Sequence, residues 1–272
     1  MPDMLINGVA GKQIAANDRG LMYGDGVFRT MLVQQGRVLH WNRQYHKLHN
    51  DCSELNIACP DKALLEADIN QLLSANTAGV VKIIITRGTG SRGYAPQPEQ
   101  EVTRIVSISP QPEYPTDFSK QGIQAKYCQM RLGHQPRLAG IKHLNRLENV
   151  LAANELSQTD YAEGILLDQS GLVIEGTRSN LFMVKKDILI TPDLNQCGVA
   201  GVQKDRVMAI ARTYDIKVKI LPITPELLEQ ADEIFLVNSI IGLWPVRELA
   251  AYNKTAFPLS LQIQNWLNNE TD

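Results

Sequence analysis

The sequence predicts an α/β (α+β) fold in two domains, and three observations carry that expectation. At 272 residues the chain is long enough for about two domains, each burying its own core. Helical apolar spacing alternates with short apolar strands along its whole length. Pro110, Pro112 and Pro115 form a stiff interruption between two such runs. The expected organisation is a small N-terminal α/β domain over 1–112, a linker over 113–119 and a larger domain over 120–272.

Composition narrows the function. The net charge is -2 with 21% charged residues, so no global basic field exists to attract nucleic acid. The start lacks a basic region followed by an apolar run, and nowhere do about eighteen apolar residues stand together. No membrane partner is expected, the location reads as cytoplasmic, and a small molecule is the expected ligand. Cys52, Cys59, Cys128 and Cys197 show no CxxC spacing and no histidine at zinc-ligand intervals, so they read as reduced thiols and no metal is expected.

Leu5-Ile6-Asn7-Gly8 with Val9 and Lys12–Ile14 suggests a hairpin turning at Asn-Gly or at Gly11. Tyr23-Gly24-Asp25-Gly26 marks a tight bend from which a strand, Val27–Val33, runs to a turn at Gln35-Gly36. Over 41–57, Trp41, Tyr45, Leu48, Cys52 and Leu55 recur at helical spacing. His46 and His49 in that helix lack a third ligand and read as a solvated face. A second helix, Asp61–Ser74, places Leu64, Leu65, Ile69, Leu72 and Leu73 inward, and a strand follows at Val80–Thr86.

Gly88-Thr89-Gly90-Ser91-Arg92-Gly93 matches G-x-G-x-x-G directly after a strand. A dinucleotide site needs a helix next, and Tyr94-Ala95-Pro96-Gln97-Pro98 cannot open one. The strand 102–108 closes this half.

Beyond the prolines, Ile123–Leu132 is extended and Gly133–Gly140 is a loop leading to Lys142. A helix-like stretch follows, with apolar Leu147, Val150, Leu151 and Leu156. Glu163–Asp168, Leu172–Glu175 and Asn180–Val184 read as three strands, the first two joined by Gln169-Ser170-Gly171. Ile188–Thr191 is another strand. Gly198-Val199-Ala200-Gly201 enters a helix over about 203–213, and such an entry is an anion site by backbone geometry, although an ordinary loop cap is the commoner occurrence. Ile216–Leu221 is a strand, and Thr224-Pro225 starts a short helix with threonine at the N-cap and proline at N1. Glu233–Val237 and Trp244–Val246 are strands, and Leu259–Leu267 is a terminal packing helix.

Two residues carry candidate chemistry. Lys142 lies between Leu138, Ala139, Gly140 and Ile141 on one side and the apolar Leu147, Val150, Leu151 and Leu156 on the other, and such surroundings lower an ammonium pKa and yield a nucleophilic amine. Glu175 ends a strand beside Gly176, where the backbone can approach a bound group closely. On local grounds a solvated lysine and a turn carboxylate are the commoner occurrences. Together they match a pyridoxal phosphate site, which needs a Schiff-base lysine and an acid that keeps the pyridine nitrogen protonated.

The segments GIKHLNRLENVL, ILLDQSGLVIEGTRSNLF and, earlier in the chain, RGLMYGDGVFRT resemble the fold-type IV pyridoxal phosphate enzymes, as three separate motifs in the expected order, from about residue 4 to about 250. That group contains branched-chain and D-amino acid transaminases and aminodeoxychorismate lyase. The resemblance implies a β-barrel-like sheet in the larger domain, an active site between the domains, a homodimer and pyridoxal 5'-phosphate as cofactor. It makes Lys142 the cofactor lysine and Glu175 the pyridine partner, and it places Val202, Gln203 and Ser239 at the phosphate. The family's phosphate arginine in the first long helix is here Lys47, before Leu48, which binds a phosphate only as a point charge. Arg43, one turn earlier, is the alternative. Arg92 becomes the substrate carboxylate ligand, with Tyr94 assisting, and Thr30 a proton-delivering hydroxyl.

The KHLNRLE run and the Arg92-Tyr94 pair are most similar to the lyase members. Tyr94 and Phe28 replace a histidine and a tyrosine of the D-amino acid transaminases. The implied function is cleavage of 4-amino-4-deoxychorismate to 4-aminobenzoate and pyruvate, a step of folate biosynthesis. A fold-type IV aminotransferase is the alternative enzyme, and a non-catalytic cofactor-binding or regulatory protein is the alternative of another class.

Overall fold

The computed structural model describes residues 2–98 and 100–270. These residues form two compact units, the described residues of 2–112 with Ile141–Asn145, and Glu113–Gly140 with 146–270.

The first unit opens with β1 (Met4–Ile6) and β2 (Val9–Ala10) around Asn7 and Gly8, both at positive φ, so the Asn-Gly turn is the one used and Lys12–Ile14 is outside the hairpin. α1 (Arg19–Tyr23) was not expected. Its five residues are too few for a periodic signal, but Asp18 caps it by accepting the Gly20 N–H. β3 (Gly26–Gln34) turns at Gln35-Gly36 into β4 (Arg37–Val38). α2 (Trp41–Glu54) and α3 (Lys62–Leu72) follow, then β5 (Gly79–Thr86) and β6 (Thr103–Ser109).

The strands form one sheet in the order β2-β1-β6-β5-β3-β4, with all neighbours antiparallel. One face of β3 (Val27, Arg29, Met31, Val33) is buried, and Leu48, Cys52, Leu65 and Ile69 of the two helices complete that core. Each such aliphatic side chain contributes about 1.5–3 kcal/mol by leaving water. The opposite face of β3, with Phe28, Thr30 and Leu32, stays partly open. The loop after β5 contains no helix among its described residues, as the prolines require.

In the second unit α4 (Phe118–Gln121) precedes β7 (Ile123–Leu132), and the rings of Tyr114 and Phe118 stand edge-on to Trp244 at 4.9 and 5.1 Å. α5 (Leu147–Asn154) leads to β8 (Glu163–Asp168), β9 (Val173–Gly176), β10 (Asn180–Lys185) and β11 (Ile188–Thr191). α6 (Val202–Thr213), β12 (Val218–Ile220), α7 (Pro225–Glu229), β13 (Glu233–Asn238), β14 (Gly242–Leu249), β15 (Tyr252–Asn253) and α8 (Pro258–Asn269) complete it. Thr224 caps α7 with Pro225 at N1, as expected.

Here the strand order is β12-β11-β10-β13-β14-β7-β8-β9, and β9 also pairs with β10. Six strands therefore close on themselves into a barrel-like sheet, with Trp244, Leu181, Ile165 and Ile234 in its main core. The closing pair is Asn180 with Glu175. Closure removes two sheet edges and fixes the register at Glu175. No helix among the described residues is long and apolar enough to cross a membrane.

Candidate active site

The first unit positions Lys142. The Phe28 N–H donates to the Lys142 carbonyl at 3.0 Å and the Leu144 N–H to the Gly26 carbonyl at 3.0 Å, so the 141–145 segment lies along the start of β3. Gly24, at φ 66°, leaves room for Asn145, whose Oδ1 would stand 2.3 Å from a Cβ there. The Lys142 ammonium lies 4.6 Å from the centre of the Phe28 ring, and the Lys82 ammonium lies 5.2 Å from it. Thr30 pairs directly across the strands with Lys82, so Phe28, Thr30 and Lys82 share the open face.

Behind that face sits Asp51. Its carboxylate accepts from the Arg29 guanidinium and the Lys47 ammonium, and at 3.2 Å from the backbone N–H of Lys142. Asp51 and Arg29 are both buried. Lys47 is thus engaged by Asp51 one turn along α2, and Arg43 is exposed. Asp25 holds Arg19 at 2.8 Å and Arg87 at 2.8 Å. Arg19 in turn donates to the carbonyls of Gly93 at 3.0 Å and Tyr94 at 2.5 Å, which pins the loop bearing Arg92. The Tyr94 ring packs on Tyr23 with centroids 5.3 Å apart, and Arg92 and Tyr94 are exposed.

The second unit positions Glu175. It is buried, and its Oε2 accepts the Val199 N–H at 2.8 Å. Arg146 is close enough to feel its charge. Burial lowers the Arg146 guanidinium, while Glu175 and Glu148 oppose that effect. Asn180, the barrel-closing partner of Glu175, accepts the Gly201 N–H at 3.1 Å and donates to the Val199 carbonyl at 2.7 Å. The strand seam therefore fixes the entry to α6.

α6 starts at Gly201 without a side-chain cap, and Val202 and Gln203 are buried in its first turn. Backbone donors of that kind favour an anion. Ser239 follows β13 in the turn that Asn238 braces by accepting the N–H groups of Ile240 and Ile241 at 2.8 and 2.9 Å. Taken unit by unit, the residue types are those that pyridoxal phosphate needs: the first holds an amine beside an aromatic ring, and the second holds a buried carboxylate bonded to the turn that enters an uncapped helix.

One expectation is corrected. The apolar residues after Lys142 do not surround it, because Leu147, Val150 and Leu151 are 76%, 59% and 56% exposed on α5, where only Ala152 is buried. The surroundings of the lysine backbone are instead Asp51, Arg29 and Phe28. Sequence reasoning also missed Arg29, Asp51, Arg19, Lys82 and Arg146. A signal for two of them exists: Arg29 stands at a core position of β3, and Asp51 stands on the buried stripe of α2 with Gln44, Leu48 and Cys52.

Three comparisons bear on this geometry. Residues 26–249 match the family model described as amino-transferase class IV. The chain is 35% identical over 268 residues to the aminodeoxychorismate lyase of Vibrio harveyi, covering 97% of this chain and 98% of that one. It is 30% identical over 245 residues to a putative branched-chain-amino-acid aminotransferase of Methanocaldococcus jannaschii, covering 87% and 83%. The crystal structure of 4-amino-4-deoxychorismate lyase from Pseudomonas aeruginosa superposes with a TM-score of 0.94 at 40% identity, covering 98% of each chain.

Proposed function

This chain belongs to the aminotransferase class IV family, and from that membership we propose that it is a pyridoxal phosphate-dependent lyase converting 4-amino-4-deoxychorismate to 4-aminobenzoate and pyruvate. The observation that carries the reading is likeness along nearly the whole chain to lyases of that name in two organisms. The cofactor is pyridoxal 5'-phosphate, which when bound supplies an electron sink for the carbon that carries the substrate nitrogen.

The chain's own residues divide the remaining work. Lys142 would hold the cofactor through its side-chain amine, and the same amine is the base that would take the proton from the nitrogen-bearing carbon. The Phe28 ring beneath its ammonium and the Asp51 bond to its backbone N–H hold it in place. Glu175 keeps a proton on the pyridine nitrogen, its own orientation set by the Val199 N–H. The N–H groups of Val202 and Gln203, with Ser239, bind the phosphate, and Lys47 and Arg43 add positive charge.

Arg92 binds a substrate carboxylate, and Tyr94 sits beside it on the loop that Arg19 secures. Removal of the ring proton expels the enolpyruvyl oxygen from the neighbouring carbon. The carbon-oxygen bond breaks, the ring becomes aromatic, and the enol accepts a proton from Thr30 or Lys142 to become pyruvate.

The proposal includes a homodimer. The three exposed aliphatic side chains of α5 support it, because a contiguous apolar face on a helix normally marks an interface. It includes a cytoplasmic location, which the four free cysteines suit.

The test is incubation of the cofactor-loaded protein with 4-amino-4-deoxychorismate and no keto acid. Sustained release of both products supports the lyase. An aminotransferase stalls after one turnover without a keto acid, and loss of the cofactor's visible band on adding D-alanine or a branched-chain amino acid would replace the lyase reading.

A further inference from the structure

Three side chains that the reaction does not use converge in the second unit. His134 lies in the loop after β7, Asp168 ends β8, and Cys197 precedes the turn into α6. Their ligating atoms all lie within 4.8 Å of one another, and His134 Nε2 is 2.9 Å from Asp168 Oδ2. Among the described residues this is the grouping of three histidine, cysteine or acidic side chains with metal-ligand geometry.

Each ligand stands on braced backbone. The Gly133 N–H donates to Glu148 Oε1 at 2.8 Å and the Gln135 N–H to the Gln196 carbonyl at 2.8 Å, so the chain is held on both sides of His134 and tied beside Cys197. Asp168 Oδ1 accepts the N–H groups of Ser170 at 2.8 Å and Leu172 at 2.9 Å, which aims Oδ2 at the histidine. Such fixation of ligands by their neighbours characterises metal sites. Asp168 and Cys197 are 4% and 6% exposed, whereas the His134 side chain is 30% exposed and leaves an entry path.

We propose that His134, Asp168 and Cys197 form a site for a zinc-class divalent cation, with water as fourth ligand. The ligand types suit that class, since one sulfur, one imidazole nitrogen and one carboxylate oxygen form a mixed tetrahedral set. Metal bonds of about 2.0–2.3 Å place tetrahedral ligands roughly 3.4 Å apart, so a shift of about an ångström or less per side chain admits the ion. The thiol proton leaves to the buffer as the metal-sulfur bond forms.

The site has a structural consequence within the same unit. Cys197 is two residues before Val199, whose N–H holds Glu175, and Gly198 between them has φ 86°. A cation on Cys197 ties this turn to β8 and to the loop after β7.

The experiment uses the full chain, stripped with a chelator and titrated with zinc against a chromophoric competitor, then with cobalt(II). One equivalent of zinc per chain is expected, together with a thiolate-to-cobalt charge-transfer band and tetrahedral cobalt absorption. Cys197→Ser is expected to abolish the charge-transfer band, and His134→Ala, at a partly exposed loop position, to weaken binding at least about 100-fold. Cys59→Ser is expected to change neither. Absence of stoichiometric zinc, or a charge-transfer band that survives Cys197→Ser or moves only with Cys59→Ser, overturns the site.

Discussion

Replacing Asp51 by asparagine tests how the first unit holds its lysine. Asp51 is 1% exposed and Arg29 is 2% exposed, and the aspartate is shared by Arg29, Lys47 and the Lys142 N–H. Removing one charge of a buried pair costs about 3–5 kcal/mol, because the remaining ion stays desolvated without its counter-charge. The amide keeps the shape and one acceptor, so the lower end, about 3 kcal/mol, is expected. That corresponds to roughly 100-fold in the folding equilibrium and a melting point lowered by about 6–12 °C. Urea unfolding followed by circular dichroism measures it, and cofactor dissociation should accelerate in parallel as Lys142 loses its backbone anchor. Arg29→Met combined with Asp51→Leu should regain most of the loss, since both buried charges are then gone. A change below about 1 kcal/mol in the single variant would refute the reasoning.

Asp25 should shape acid stability: burial raises its carboxyl, but hydrogen bonds and charge from Arg87 and Arg19 outweigh this and hold it below its ordinary value. Its contribution is present above the unfolded value of about 3.9 and is lost as pH falls below that through the folded value, so Asp25→Asn should flatten the stability profile below about pH 4 in urea melts. Iodoacetamide at mildly alkaline pH should modify Cys59 before Cys128 or Cys197, as read by peptide mass spectrometry. A hydrogen bond from Cys52 lowers Cys59, whereas burial pushes Cys128 up to about 11 and Cys197 up to about 12. Val150→Asp, on the exposed face of α5, should convert a dimer to a monomer in light scattering at micromolar concentration, and an unchanged mass would remove α5 from the interface.

Long periodic elements were legible in the chain. β7 and β8 begin and end where the apolar runs do, and β7 is bounded by a glycine on each side. α1, α4 and β15 were not, since elements of two to five residues carry no period and exist through tertiary support. Lys142 and Glu175 stood out through their neighbours in sequence, but the groups that hold them did not. Asp51 reaches the Lys142 N–H across a separation of 91 residues, which no local pattern reports. The buried charges at core positions of β3 and α2 were visible as breaks in the apolar pattern, and such breaks mark either a paired ion or a site. Leu147, Val150 and Leu151 misled in the opposite sense, since an apolar helical face says that something covers it, not that the same chain does. His134, Asp168 and Cys197 come from three separate segments, so intervals along the chain cannot announce them.

The central claim is that Lys142 performs a lyase reaction on 4-amino-4-deoxychorismate. The most direct measurement follows 4-aminobenzoate and pyruvate together, without keto acid, for the cofactor-loaded protein and for Lys142→Ala. Equal amounts of both products over many turnovers, with the rate falling at least about 1,000-fold in the variant, is the expected result. Unequal products, a single turnover, or an undiminished rate in Lys142→Ala would contradict the account.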